Sequence, residues 1–201
     1  MRFVSIDIET TGLNPDRCEV LEIGAVVCNP GINLADLPTF RYRIRREVYT
    51  GEPYALSMHR DLFKDLATKP RNTSSEAPSG DTLHRDWYGL ECEFPRKFAG
   101  WLSTWGIDPR KFVASGKNFA HFDAPFLKKI RGTEPIQWHH RILDPGSMYV
   151  RPGDEFLPDT NECCRRAGFD PADIPGDEHT SVHDALVVVE LIRRGFQRVE
   201  N

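Results

Sequence analysis

The sequence predicts an α/β fold, with a sheet whose first half is a meander and whose later strands arrive through helical crossovers. Two β-branched runs lie close together, Phe3-Val-Ser-Ile-Asp-Ile-Glu9 and Val20-Leu-Glu-Ile-Gly-Ala-Val-Val27, and read as neighbouring strands. Residues 40–46 alternate Phe40, Tyr42 and Ile44 with Arg41, Arg43 and Arg45, the period of a half-exposed third strand. Near the end, Val182, Ala185, Leu186, Val189, Ile192 and Phe196 recur at the spacing of one buried helix face. Strands that precede the helices, then alternate with them, define the class.

The first strand stops at Thr10-Thr-Gly12, and Asn14-Pro15-Asp16 supplies the turn into the second. Gly24, inside the second strand, marks a position of close packing. Helices are expected at 60–67, 95–105 and 122–130, with short strands at 111–115 and 141–144. A further helix over 161–167 ends at Gly168. Residues 69–81 are rich in Pro, Ser and Gly and offer no apolar face, so a mobile surface loop is expected there. The wider polar stretch 68–93 reads as a loop insert within one domain spanning 1–201.

Composition excludes some classes. With 39% hydrophobic and 28% charged residues the chain is globular rather than disordered. No apolar run approaches the ~20 residues of a membrane span, so no membrane partner is expected. Asp7 and Glu9 break the apolar opening, which therefore reads as neither signal nor transit peptide. Cys18, Cys28, Cys92, Cys163 and Cys164 form no C-x-x-C pair and have no histidine at zinc spacing, which suggests reduced thiols and a cytoplasmic location. A net charge of −4 argues against a polyanionic partner only on its face. Four carboxylates bound to metal would leave the rest of the chain neutral.

Asp7 and Glu9 stand two apart on the first strand, so their side chains share a face, ~6.6 Å apart along it. Two acids among Phe3, Val4, Ile6 and Ile8 repel each other and lose hydration unless a cation lies between them. A lone D-x-E is more often a solvated edge; the apolar surroundings favour a site. Asp123, in Asn118-Phe-Ala-His-Phe-Asp-Ala-Pro-Phe-Leu127, also reads as a helix cap, with Pro125 in the first turn. Asp184, in Ser181-Val-His-Asp184, fits a capping-box-like start. His59, His84, His121, His139 and His140 have no demanding spacing. Arg41, Arg43 and Arg45 either meet phosphates or guard an exposed strand edge.

Taken together, Asp7-Ile-Glu9-Thr-Thr-Gly-Leu13, Asn118-x4-Asp123 and His179-x4-Asp184 resemble, in order and spacing, the three blocks of the DEDD exonuclease superfamily. The histidine five positions before the last acid places the resemblance in the DEDDh, DnaQ-like branch. Ser181 stands where the family commonly has Ala, and His183 adds a second imidazole beside Asp184.

The resemblance implies an RNase H-like mixed sheet, a three-stranded antiparallel meander plus two parallel strands, flanked by helices. It also implies metal-dependent 3′–5′ hydrolysis of DNA or RNA to nucleoside 5′-monophosphates. Asp7, Glu9, Asp123 and Asp184 would bind two Mg²⁺ ions, replaceable by Mn²⁺, and His179 would be the general base. Thr10, Gly12 and Leu13, with Met58 and His59, would receive the terminal nucleotides. The partner is a nucleic acid with a free 3′ end. Many members of the family are homodimers, which makes a second copy the other partner to consider, although no stretch reads as an interface.

Two alternatives compete. A proofreading-type polymerase subunit is disfavoured, since such subunits extend beyond the nuclease core and this sequence stops soon after Phe196. A non-catalytic nucleic-acid-binding module on the same fold predicts loss of a ligand, and none is lost. Between the two imidazoles, His179 is expected on a loop and His183 on the helix surface or against a partner, with Thr180 or Ser181 as N-cap.

Overall fold

The computed structural model describes residues 1–69, 83–178 and 180–199. The sheet order among them is β4-β3-β2-β1-β5, from β1 (Phe3–Thr10), β2 (Val20–Cys28), β3 (Thr39–Ile44), β4 (His84–Gly89) and β5 (Ala114–Ser115). β1, β2 and β3 pair antiparallel, whereas β4 joins β3, and β5 joins β1, in parallel. The expected mixed sheet is present, a meander with a parallel strand on each edge.

Two of its details differ from the expectation. Residues 141–144 contribute a single parallel bridge, Leu143 to Ser115, rather than a strand. The second parallel strand is instead β4, inside the polar stretch 68–93 read as a loop insert. A short helical turn (Glu91–Glu93) follows it and leads into the helix that begins at Phe94. His84-Arg-Asp-Trp-Tyr-Gly89 carries no apolar alternation, so its pairing with β3 is tertiary in origin. The loop expected at 69–81 falls, apart from Lys69, outside the described residues.

Alternation along β1 divides the interior in two. Val4, Ile6 and Ile8 pack with Ile23, Ala25, Phe40 and Tyr42 against α3 (Phe94–Thr104) and α4 (Asp123–Lys129). On the other face Phe3, Val26 and Cys28 pack against α5 (Pro145–Tyr149), α6 (Thr160–Ala167) and α7 (Ser181–Val199). β2 is buried along its whole length, as a strand covered by helices on both faces must be. Asp7 and Glu9 are odd-numbered residues of β1, like Phe3, so the period of two turns them toward α7. α1 (Pro53–Met58) and α2 (Arg60–Thr68) lie between β3 and β4 in sequence.

α6 ends as expected at Gly168, whose φ of 78° lies in the left-handed region. Among the described residues no helix is long and apolar enough to cross a membrane. The five cysteines are free thiols.

Candidate active site

The acids meet where the C-terminal half of β1 faces the start of α7. Asp7, Glu9 and Asp184 bring one carboxylate oxygen each within 4.8 Å of one another. Asp123 is 2% exposed and, after burial itself, has the largest influence on the protonation of Asp7. Three segments far apart in sequence therefore supply the four acids.

The cap readings resolve separately. Asp123 is the first residue of α4, the cap position belongs to Phe122, and no side chain caps that helix. At α7 the cap is Thr180, whose Oγ1 accepts the His183 amide at 3.3 Å and whose carbonyl accepts the Asp184 amide at 3.0 Å. Asp184 is thus released from capping. Its side chain is half exposed and reaches Asp7 and Glu9.

Burial, then the charges of Asp123, Glu9, Asp184 and Glu22, holds the Asp7 carboxyl well above the usual range. Glu9 is pushed up to about 8 by burial and by Asp184, Glu22 and Asp123. Asp123 rises to about 7 through burial, although backbone hydrogen bonds at its own amide and at Ile8 pull the other way. Acids crowded like this repel unless cations separate them. Their donor atoms are all hard oxygens, with no thiolate in the set, which suits Mg²⁺ or Mn²⁺.

His59, at the junction of α1 and α2, places Nε2 3.6 Å from Glu9 Oε2. Burial lowers its pKa, against a hydrogen bond to the Thr10 backbone and the charge of Glu22. This histidine adjoins the acids, and no spacing in the sequence announced it. The turn after β1 is stitched to the start of α1. Thr11 Oγ1 donates to the Thr50 carbonyl at 2.6 Å, the Glu52 amide to the Thr11 carbonyl at 2.7 Å, and the Leu13 amide to Glu52 Oε1 at 3.3 Å.

Thr10 is buried and donates to the Gly12 carbonyl at 2.7 Å. A Cβ on Gly12 would come within 2.6 Å of Cys18 Sγ and 2.7 Å of the Glu52 carboxyl carbon, so this glycine answers to crowding. Leu13 and Met58 are 74% and 63% exposed, and Tyr54 of α1 is 76% exposed.

His183 departs from expectation. Instead of lying on the helix surface it is buried, with Nε2 3.2 Å from the Pro171 carbonyl and Nδ1 3.5 Å from Asp184 Oδ1. His179 lies outside the described residues.

The arginines do not guard a sheet edge, because β4 pairs with their strand. Arg43 is buried and donates to Glu22 at 2.7 Å, Asp86 at 3.0 Å and the Tyr88 hydroxyl at 2.5 Å; Arg41 donates to Asp86 at 2.7 Å. Arg45 donates to the Leu66 carbonyl. Arg41 and Arg45 remain partly exposed. Glu22 itself, 2% exposed beside the acids, was missed, and its one signal was a charge inside the apolar run 20–27.

A cleft of about 1320 Å³ is lined by Phe3, Cys28, Met148, Arg193 and Phe196. It lies at the opposite ends of β1 and α7 from the acids.

Comparison with known proteins gives a consistent picture. Residues 4–102 match the RNase T exonuclease family, a span that includes Asp7 and Glu9 and stops before Asp123. The oligoribonuclease of Neisseria meningitidis serogroup A is 24% identical over 144 residues, covering 71% of this chain and 68% of that protein. Escherichia coli exonuclease I, solved in complex with an oligonucleotide, superposes with a TM-score of 0.55 at 15% identity over 98% of this chain. The Neurospora crassa Pan2 catalytic unit superposes with a TM-score of 0.57 at 10% identity over 99% of this chain. This chain spans only 41% of that exonuclease I chain and 27% of the Pan2 unit. Likeness at such identities shows the fold.

Proposed function

We propose that this chain is a DnaQ-like exonuclease of the DEDDh type that shortens DNA or RNA from a free 3′ end. The convergence of Asp7, Glu9, Asp123 and Asp184 from three distant segments carries this reading. These four would hold divalent ions, Mg²⁺ or Mn²⁺. Bound there, such ions stabilise charge on the attacking and leaving oxygens and ease deprotonation of water.

In each cycle a water oxygen bonds to phosphorus and the bond from phosphorus to the 3′ oxygen breaks. The products are a nucleoside 5′-monophosphate and a strand ending in a new 3′-hydroxyl. His179 accepts the proton of the attacking water at its imidazole. Leu13 and Met58 offer apolar surface against which terminal bases stack whatever their identity. His59 borders the same turn.

The test is a panel of 5′-labelled single-stranded and duplex DNA and RNA, with Mg²⁺ or Mn²⁺ and an EDTA control. Short RNA oligonucleotides belong in it because the Neisseria relative is an oligoribonuclease. The expected result is a ladder that shortens from the 3′ end, releases 5′-monophosphates and vanishes in EDTA. Shortening from the 5′ end, or activity indifferent to EDTA, would overturn the reading.

A further inference from the structure

Glu9, Glu22, Arg43 and Tyr88 stand directly opposite one another across β1, β2, β3 and β4. Like charges on directly opposed residues destabilise a sheet, so Glu22 beside Glu9 needs a reason. Its contacts supply one. Glu22 Oε2 accepts from Arg43 Nε at 2.7 Å, while Oε1 accepts from Ser181 Oγ at 2.7 Å and from the Ser181 amide at 3.1 Å. Both oxygens are thereby committed away from the ligand cluster.

Arg43 is in turn braced from β4, by Asp86 at 3.0 Å and the Tyr88 hydroxyl at 2.5 Å, and Tyr88 donates to Asp65 of α2 at 3.2 Å. Ser181 opens α7, and Asp184 follows three residues on, within the same turn. Two rows along, on the same face of the sheet, Asp7 opposite Gly24 leaves room for that turn. A Cβ on Gly24 would collide with the Ser181 carbonyl group and the Val182 amide. Two divalent ions match the four ligand carboxylates in charge, and Arg43 separately matches Glu22.

We infer that Glu22 is a positioning residue: clamped by Arg43, it anchors the first turn of α7 through Ser181 and so sets the Asp184 carboxylate against Asp7 and Glu9. The inference rests on the metal-dependent reading above, and it gives β4 a part in the site. A Gln at this position cannot accept from both Arg43 and the Ser181 amide, since one of its two terminal atoms only donates.

Mn²⁺ binding by electron paramagnetic resonance, kcat and KM on an oligonucleotide, and melting temperature test it on the full chain. The variants are Glu22→Gln, Ser181→Ala and, as a stability control at the far end of α7, Ile192→Val. Glu22→Gln is expected to weaken Mn²⁺ binding by roughly 10-fold or more and to lower kcat with KM little changed, the size of effect that groups behind metal ligands have. Ile192→Val should lower the melting temperature and leave Mn²⁺ binding intact.

Mn²⁺ binding by Glu22→Gln equal to wild type, or weakened no more than by the control, would overturn the inference. If Glu22→Gln does not fold, Ser181→Ala decides, with a several-fold weakening expected and none overturning the proposal. A wild-type protein that neither binds Mn²⁺ nor cleaves would instead sink the functional reading itself.

Discussion

At position 123 an aspartate opens a helix without capping it and is buried close enough to Asp7 to raise its pKa. Read singly, Asp123 and Asp184 each favour a cap over a ligand, because both roles place an acid at a helix start and caps are the commoner use. Substitution separates them. Asp123→Asn and Asp184→Asn keep side-chain shape while removing a charge from a crowded anionic site. Turnover should fall by about 10²-fold or more, since charge stabilisation at the reacting centre is lost. The metal-free melting temperature at pH 8 should hold or rise, because repulsion is relieved. A cap would behave oppositely, costing ~1 kcal/mol and sparing the rate. His59 shows the reverse problem. No spacing marks it, and only the junction of α1 and α2 brings it within 3.6 Å of Glu9.

Among the elements, α7 and β4 mark the two extremes of legibility. The apolar stripe of α7 could be read directly, because a helix that covers a sheet must repeat every 3.6 residues. β4 could not, since its polar residues are held by ion pairs and main-chain bonds to β3 rather than by an apolar face. Gly24 joins the sheet to α7 at a point where no side chain fits. Gly24→Ala should therefore cost ~1–3 kcal/mol through overpacking. It should also lower kcat by more than the folded fraction explains, because the first turn of α7 must shift and carry Asp184 with it. Denaturant melts beside single-turnover rates check this; a rate loss fully accounted for by unfolding would contradict it.

For the whole molecule, the cluster couples stability to pH and to metal. Glu9 at about 8, Asp123 at about 7 and the raised Asp7 keep protons in the folded state that the unfolded chain releases near pH ~4. Where the folded state binds more protons, stability falls as pH rises. That contribution is complete below the unfolded values and is lost through the folded ones. In EDTA the melting temperature should decline from pH 5.5 to 8.5. Asp154 and Glu162, lowered to about 2 by Arg166 and Arg165, act in the opposite sense only below that window. Mg²⁺ should flatten the decline and bind more tightly at higher pH, since its ligands must lose protons. A melting temperature that rises with pH in EDTA would refute this. The strand period alone put Asp7 and Glu9 on one face, and the helical period alone gave α7 its buried side, because both patterns are written in neighbouring residues. The meeting of Glu22 with Ser181 across 159 residues, the burial of Arg43 and His183, and β4 at the sheet edge were decided only in three dimensions. Contacts between distant segments depend on which surfaces pack together, and no local periodicity encodes that choice.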